Sequence, residues 1–434
     1  MEKIKYSFIF PLLIGLLSAS FIFSSCTRDF DDDDDVIEGK IQNRAFLGLM
    51  EEWYFWNEKI PEDFDPDAYP SPYEVLEALR ERPIDRWSYI SSKEEFDSYY
   101  KDAKFVGYGF GSAFDHDDKL RVSFIFNTSD MYLEGVRRSW IIERVNGTTI
   151  NYPTNINQLL GANETGVSNT FLFRKPDGTQ QEMTLQKKEV FMNTVLHTEV
   201  FDIGNKKIGY LVFKGFTQPS FEELDEAVEF FNTEGIDDLI LDLRYNGGGQ
   251  TSVANYLASM IGGESLAGQP FAKYLYNENQ AAEENFTDNL ELVEPNLGLD
   301  RLITIATRAT ASASEMVING LMPYMPVYII GKNTYGKPMG MNAWYSNDDQ
   351  YAYVPVTFKI ANANDEGEYF EGLPVDSDID DDLTRSFGDP EEALLKEALR
   401  FIETDKFSGG FATKSLIIQP FEQMTGLRAE IGAH

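Results

Sequence analysis

The sequence predicts an α/β protein in three parts, and three observations carry that reading. From about Val190 onward, apolar strand-like runs alternate with helical periodicity, an order that builds a mostly parallel sheet covered by helices. Before it, residues 104–190 read as short strands separated by Asn-Gly and Pro-Asp-Gly turns. Before those, residues 41–103 show helical spacing only. At 434 residues, with 42% hydrophobic and 14% aromatic residues, the chain has material for several packed domains and is not disordered in composition. A net charge of -35 excludes non-specific nucleic-acid binding, which needs a basic surface to displace counterions.

The first element is an address. Lys3 and Lys5 precede an apolar run from Tyr6 to Phe23, followed by Ser24-Ser25-Cys26. Cys26 is the single cysteine, so it forms no internal disulfide. Small residues before a cysteine at the end of such a run resemble the lipobox of bacterial lipoproteins. That resemblance implies a signal peptide over residues 1–26, acylation of Cys26, and membrane attachment through acyl chains in the cell envelope. A spanning anchor or a secreted form is the alternative. Residues 27–40 read as a linker, because Asp31 to Asp35 repel one another and stay solvated. An acidic run behind a lipidated cysteine also resembles the surface-export signal of some Gram-negative lipoproteins, which implies the outer membrane and its outer face.

Within 41–103, Phe46, Leu49, Met50 and Trp53 share a face from Asn43 on, and a second helix opens at Ser71-Pro72 with Val75, Leu76 and Leu79 inward. The β-rich part opens on Gly107-Tyr108-Gly109-Phe110-Gly111 and continues through strands at Leu120–Phe126, Ser139–Val145, Asn169–Lys175 and Glu182–Lys188. This order, with Gly135 to Arg138 leading into Ile141 to Gly147, resembles a PDZ domain of the bacterial protease type. The resemblance implies that Gly107, Tyr108, Gly109 and Phe110 offer backbone N–H groups to the terminal carboxylate of a peptide added as an edge strand. Ser139-Trp140 stands where such domains often carry Gly-Asp. A plain turn is the bland reading of the same glycines.

In residues 191–404, Ile208–Phe213 reads as a strand, Ser220 with Glu223 as a capping box opening a helix, and Leu239–Leu243 as a strand buried on both faces. A helix over Val253–Ile261 follows the glycines 247–249. Strands at Leu302–Ala306, Val327–Ile330 and Tyr351–Phe358, a helix from Ser314 to Leu321, and a last helix from Asp389-Pro390 complete the pattern. Residues 264–300 lack periodicity and read as a flap or hairpin. The tail, 405–434, carries no signal.

Three histidines, His116, His197 and His434, are a poor supply for a Ser-His-Asp triad, and no two His or Cys residues share zinc-ligand spacing, so neither a metal nor a cofactor is expected. Two segments remain. Ala309-Thr310-Ala311-Ser312-Ala313-Ser314-Glu315 places serines where a strand passes into a helix; a helix N-cap is the common use of such a serine, and outward N–H groups at a helix start also suit an oxyanion. Gly331 to Pro338 places lysines 332 and 337 in a glycine-flanked loop, which reads equally as an exposed turn.

These segments, in order after Leu241-Asp242-Leu243-Arg244-Tyr245-Asn246-Gly247-Gly248-Gly249, closely resemble the C-terminal (tail-specific) processing serine peptidases, from about Asn43 to Thr404. The resemblance implies a crotonase-like α/β peptidase core with an N-terminal helical cap and a PDZ-like domain. It implies Ser312 as nucleophile, Lys337 as general base 25 residues later, and N–H groups of Gly249 and Ala313 as the oxyanion hole. A lysine accepts a proton near neutral pH only if its pKa falls from about 10.4, which burial achieves. Many family members carry Gln four residues after the lysine; Met341 stands there, with Asn342 next as a possible orienting group. Asp242, Arg244 and Glu315 read as supporting groups. The expected partner is a polypeptide substrate engaged near its C-terminus. The rival is a surface lipoprotein that binds peptides through the PDZ-like part while its hydrolase core is inactive.

Overall fold

The computed structural model describes residues 32–409 and 426–434. The apolar leader and Cys26 lie outside them.

The cap starts earlier than periodicity predicts. One helix runs Asp32–Trp53 and takes in most of the residues expected to form the linker 27–40. Phe46 and Met50 pack on Val75, Leu76 and Leu79 of the helix Pro72–Leu79, which Ser71 caps through the Tyr73 N–H with Pro72 at its first position. Tyr89–Ser92 is a strand that the helical reading of this region missed. It pairs antiparallel with Tyr351–Val354 and ties the cap to the rest of the molecule. Four residues are too few to show a period.

The β-rich domain is an antiparallel sheet in the order Phe110–Phe114, Leu120–Ile125, Ile141–Val145, Ser168–Arg174, Gln180–Gln186. A separate ribbon pairs Lys104–Gly107 with Lys188–Phe191. Phe110, Val122, Ile142, Phe171 and Phe173 fill its core, with the short helices Asp130–Leu133 and Ile156–Leu160 closing the ends.

The third domain is built on a six-stranded sheet: Val195–Ile203, Lys206–Phe213, Asp238–Asp242, Leu302–Ala306, Val327–Gly331, Ser377–Asp378. All neighbours are parallel except the first pair. The central strand shows why its sequence is uniformly apolar. Leu239 and Leu241 pack against the helices Ser220–Glu234, Thr251–Leu266 and Ala313–Leu321, while Ile240 packs against Ala393–Thr404 on the opposite face.

Three local expectations are corrected. Ser220 and Glu223 form no capping box: Ser220 Oγ donates to the Gly215 carbonyl, and the Glu223 carboxylate accepts from the N–H of Val195, because tertiary partners outcompete the local ones. The run Tyr351–Phe358 is two strands in two sheets, broken at Pro355, which has no N–H to give a ladder. The last helix starts at Ala393, where Glu392 accepts from the Leu395 N–H, and not at Pro390. Residues 270–289 form the expected hairpin, which packs on Val356–Ala361. Among the described residues no helix is long and apolar enough to cross a membrane.

Candidate active site

The parallel strands end on one side in a set of loops, and these loops carry the residues singled out above. The strand Asp238–Asp242 runs into Leu243 to Gly249; the strand Leu302–Ala306 runs into Thr307 to Ser312 and the helix Ala313–Leu321. Open α/β sheets place ligands at the carboxyl ends of their strands for this topological reason.

Ser312 sits at the helix N-terminus with φ +56 and ψ -115, a conformation rare for a residue with a side chain. Such strain persists only where the surroundings over-determine it. Here the surroundings are specific. Asn246 holds the turn from one side: its carbonyl accepts from Ala311 N (3.1 Å) and Ser314 Oγ (3.0 Å), and its Oδ1 accepts from Gly248 N (2.9 Å). Thr310 Oγ1 donates to the Leu243 carbonyl at 2.8 Å. Gly248 lies so close that an added Cβ would stand 2.8 Å from the Ser312 Cβ.

Glu315 holds the turn from the other side. Its carboxylate is fully buried and accepts from Ser312 N (2.9 Å), Lys337 N (2.9 Å), Gly336 N (2.7 Å) and Thr334 Oγ1 (2.5 Å). Burial leaves its carboxyl above the ordinary range in spite of these donors. One side chain thus fastens the turn of Ser312 to the loop of Lys337. The spacing Ser-x-x-Glu at a helix start was the available sequence signal for this contact.

Ser312 and Lys337 open onto one cleft of about 600 Å³, together with Gly249, Met341 and Asn342. Lys337 is 6% exposed. Tyr274, Tyr276 and Phe286 of the 270–289 hairpin form one wall, and Phe96 and Tyr100 of the cap contribute another. Ala313 is the first helical residue, so its N–H has no acceptor within the helix. Asn342 Oδ1 accepts from Thr357 Oγ1 at 2.7 Å and Tyr276 OH at 3.3 Å. Lys332 lies elsewhere, paired with Asp378 and, at 2.8 Å, with Asp380. Ser314 is buried and spent on Asn246.

Below the glycine loop, Arg244 is fully buried among Asp242 (2.7 Å), Asp381 (2.7 Å) and Glu392 (2.9 Å). Arg138 of the β-rich domain joins them, 2.8 Å from Asp381 and 2.6 Å from the Tyr245 hydroxyl. Burial alone would raise Asp381, but the two guanidinium groups override it and hold its carboxyl below the ordinary range. The network supports the backbone of residues 244–249 from beneath and offers no group to the cleft.

Gly107, Tyr108, Gly109 and Phe110 do not line this cleft. They form a second site in which Tyr108 N and Gly109 N both donate to the main-chain oxygen of His434, at 2.7 and 2.8 Å. The sequence reading assigned nothing to His434, because a terminal residue without periodic context gives no pattern.

Comparison with known proteins matches the description Peptidase family S41 to residues 207–380 and Peptidase S41 N-terminal domain to residues 42–89. A carboxyl-terminal-processing protease of Synechocystis is 27% identical over 178 residues, 41% of this chain and 39% of that one. A chloroplastic carboxyl-terminal-processing peptidase of Arabidopsis thaliana is 23% identical over 334 residues, 73% of this chain and 65% of its own length. The chain therefore matches less than two thirds of either relative. The crystal structure of a Bacteroides fragilis protein assigned to the S41 proteases superposes with a TM-score of 0.68 at 24% identity, covering 83% of this chain and 97% of that one. It shares the fold.

Proposed function

Because the chain belongs to peptidase family S41, we propose that it is a serine endopeptidase of the C-terminal processing type, working through Ser312 and Lys337. The observation that carries this reading is the strained Ser312 at a helix N-terminus, opening onto the same cleft as a buried lysine.

The chemistry is acyl transfer. Lys337 Nζ takes the proton of Ser312 Oγ as the oxygen attacks the substrate carbonyl carbon. The oxyanion that forms is held by the N–H groups of Ala313 and Gly249. The lysine then returns its proton to the departing amine, and a water molecule activated by the same Nζ hydrolyses the Ser312 ester. Glu315 keeps nucleophile and base in register by holding both backbones. Asn342 and Met341 line the cleft together with Lys337, and Asn342, held by Thr357, or a residue from elsewhere orients the amine.

The substrate is a polypeptide, and the loop Gly107 to Phe110 of the PDZ-like domain captures its terminal carboxylate. The apolar leader and Cys26 support an acyl-anchored envelope protein; replacing Cys26 by Ser releases such a protein from membranes, and retention after signal cleavage counts against the anchor. The peptidase reading is tested by hydrolysis of extended peptides: Ser312→Ala and Lys337→Ala each abolish it with the melting curve unchanged. Hydrolysis that survives Ser312→Ala would refute the assignment of the nucleophile, and a parent chain that binds peptides but cleaves none would leave the peptide-binding rival.

A further inference from the structure

The second site is occupied. The segment that ends the sequence returns to the β-rich domain as a helix, Leu427–Ile431, turns at Gly432 (φ +62) and runs out along the strand Phe110–Phe114. His434 N donates to the Phe110 carbonyl at 2.7 Å while its own main-chain oxygen accepts from Tyr108 N and Gly109 N. This is the first backbone pairing that strand addition would make, with a main-chain oxygen in the cradle that such sites offer a peptide terminus. The floor of the cradle is Gly107, where an added Cβ would stand 2.8 Å from the carbonyl carbon of His434.

The side chain is held as closely as the backbone. The His434 imidazole is 5% exposed, lies on the Phe110 ring with centroids 5.0 Å apart, and bonds to Ser112 Oγ (2.8 Å) through Nε2 and Asn157 Oδ1 (2.7 Å) through Nδ1. An acceptor on Nδ1 places a proton there, and in the neutral ring Nε2 then accepts from the serine. Burial, and then the charge of Lys187, lower its pKa to about 4, consistent with that state. Lys187 is itself buried, its Nζ bonded to the carbonyls of Gly161 and Ala162 and to Asn163 Oδ1. Behind His434, Leu427, Ile431 and Ala433 pack with Tyr99, Phe105 and Val190, between cap and β-rich domain.

We propose that residues 427–434 are a resident ligand of the PDZ-like groove, docked in cis, which blocks capture of other peptides until it leaves. The proposal rests on the loop Gly107 to Phe110 being the substrate's carboxylate site and adds its occupant and its selectivity: a histidine with a neutral ring able to donate to Asn157 and accept from Ser112. Because the ligand is tethered to the domain it fills, it competes at an effective concentration on the order of millimolar. A peptide arriving from solution binds only the open fraction, and its apparent affinity falls by that fraction.

The test uses a fluorescent octapeptide of sequence LRAEIGAH, as free acid and as amide, with anisotropy as readout. All proteins carry Ser312→Ala, so that binding is measured without turnover. The free acid is expected to bind a chain ending at residue 425 at least about tenfold more tightly than the full chain, as the tethered competitor is gone, and the amide to bind neither. Equal affinity for both chains would overturn cis occupancy; equal affinity of acid and amide would overturn carboxylate capture. If the shortened chain melts early, the full chain extended by two alanines after His434 keeps every packing residue and is expected to bind the free acid as the shortened one does; an extended chain that binds no better than the parent also overturns the proposal. Failure of the peptidase reading looks different: the binding pattern holds, while the same chains with Ser312 restored cleave nothing.

Discussion

The turn at Ser312 and the groove at Gly109 each use backbone donors to hold one group in place, and they hold it by different means. Around Ser312 the fastenings are buried and internal. Glu315 and Asn246 between them bind the backbones of the serine turn, the glycine loop and the lysine loop, and none of those bonds is made to a part of the chain that can leave. Around Gly109 the partner is the last residue of a short segment, held by three backbone bonds and two to the imidazole beside the apolar packing of Leu427, Ile431 and Ala433. The first arrangement suits a centre that must be preorganised, since donors already aimed at a developing charge need no reorganisation during reaction. The second suits a site whose occupant exchanges.

The largest effect should come from the chemical pair. Ser312→Ala or Lys337→Ala lowers peptide turnover by at least about a thousandfold, and the double variant loses little more than either single one, because the two act as a unit. Steady-state hydrolysis decides this, and additive losses would separate the pair. Next is the fastening. Glu315→Ala leaves several buried donors without an acceptor and should cost about 3 kcal/mol or more in urea unfolding, with turnover reduced as well. An unchanged midpoint would show that the buried carboxylate is not what holds the turn.

The groove should respond to pH through His434. His434 in place has its pKa lowered to about 4, against about 6.5 for a free imidazole. The released segment therefore binds the extra proton between those values, and docking, complete above about pH 6.5, weakens as pH falls towards 4. Lys187 is the cation that acts on this ring, and Arg428 in turn acts on Lys187. Exposure of residues 427–434 to carboxypeptidase digestion at pH 7 and pH 5 reads the difference, and an imidazole that titrates near 6.5 in the docked state would contradict it. Smallest are the neighbours that resemble site residues in sequence. Lys332→Ala removes an ion pair to the exposed Asp378, worth about 0–1 kcal/mol, and one to the buried Asp380, both away from the cleft. Ser314→Ala removes one hydrogen bond, worth about 1 kcal/mol. Both should leave kcat/KM within about twofold, since neither removes an interaction made in the transition state.

The two regions also differ in how far the sequence reveals them. Leu239–Leu243 announces a doubly covered strand because both neighbouring layers demand apolar side chains, and Ser71-Pro72 announces a helix start because cap and first-turn chemistry are local. The motif segments around Ser312 and Lys337 lie where the parallel sheet must end its strands, so their convergence on one cleft follows from topology. What stayed hidden depends on distant partners. Glu223 leaves its local cap for Val195, the strand Tyr89–Ser92 exists only because Tyr351–Val354 lies beside it, and His434 acquires meaning only from Ser112 and Asn157. Pro355 was visible as a ladder breaker, and its place inside an apolar run masked it.

The most direct test of the catalytic assignment is to trap the acyl-enzyme. A slowly deacylating activated ester or lactone is mixed with the protein near neutral pH, and the modified peptide is located by mass spectrometry. The account predicts a single adduct on Ser312, lost in Ser312→Ala and strongly slowed in Lys337→Ala but retained in Lys332→Ala. An adduct on another residue, or full labelling of Ser312 without Lys337, would contradict it.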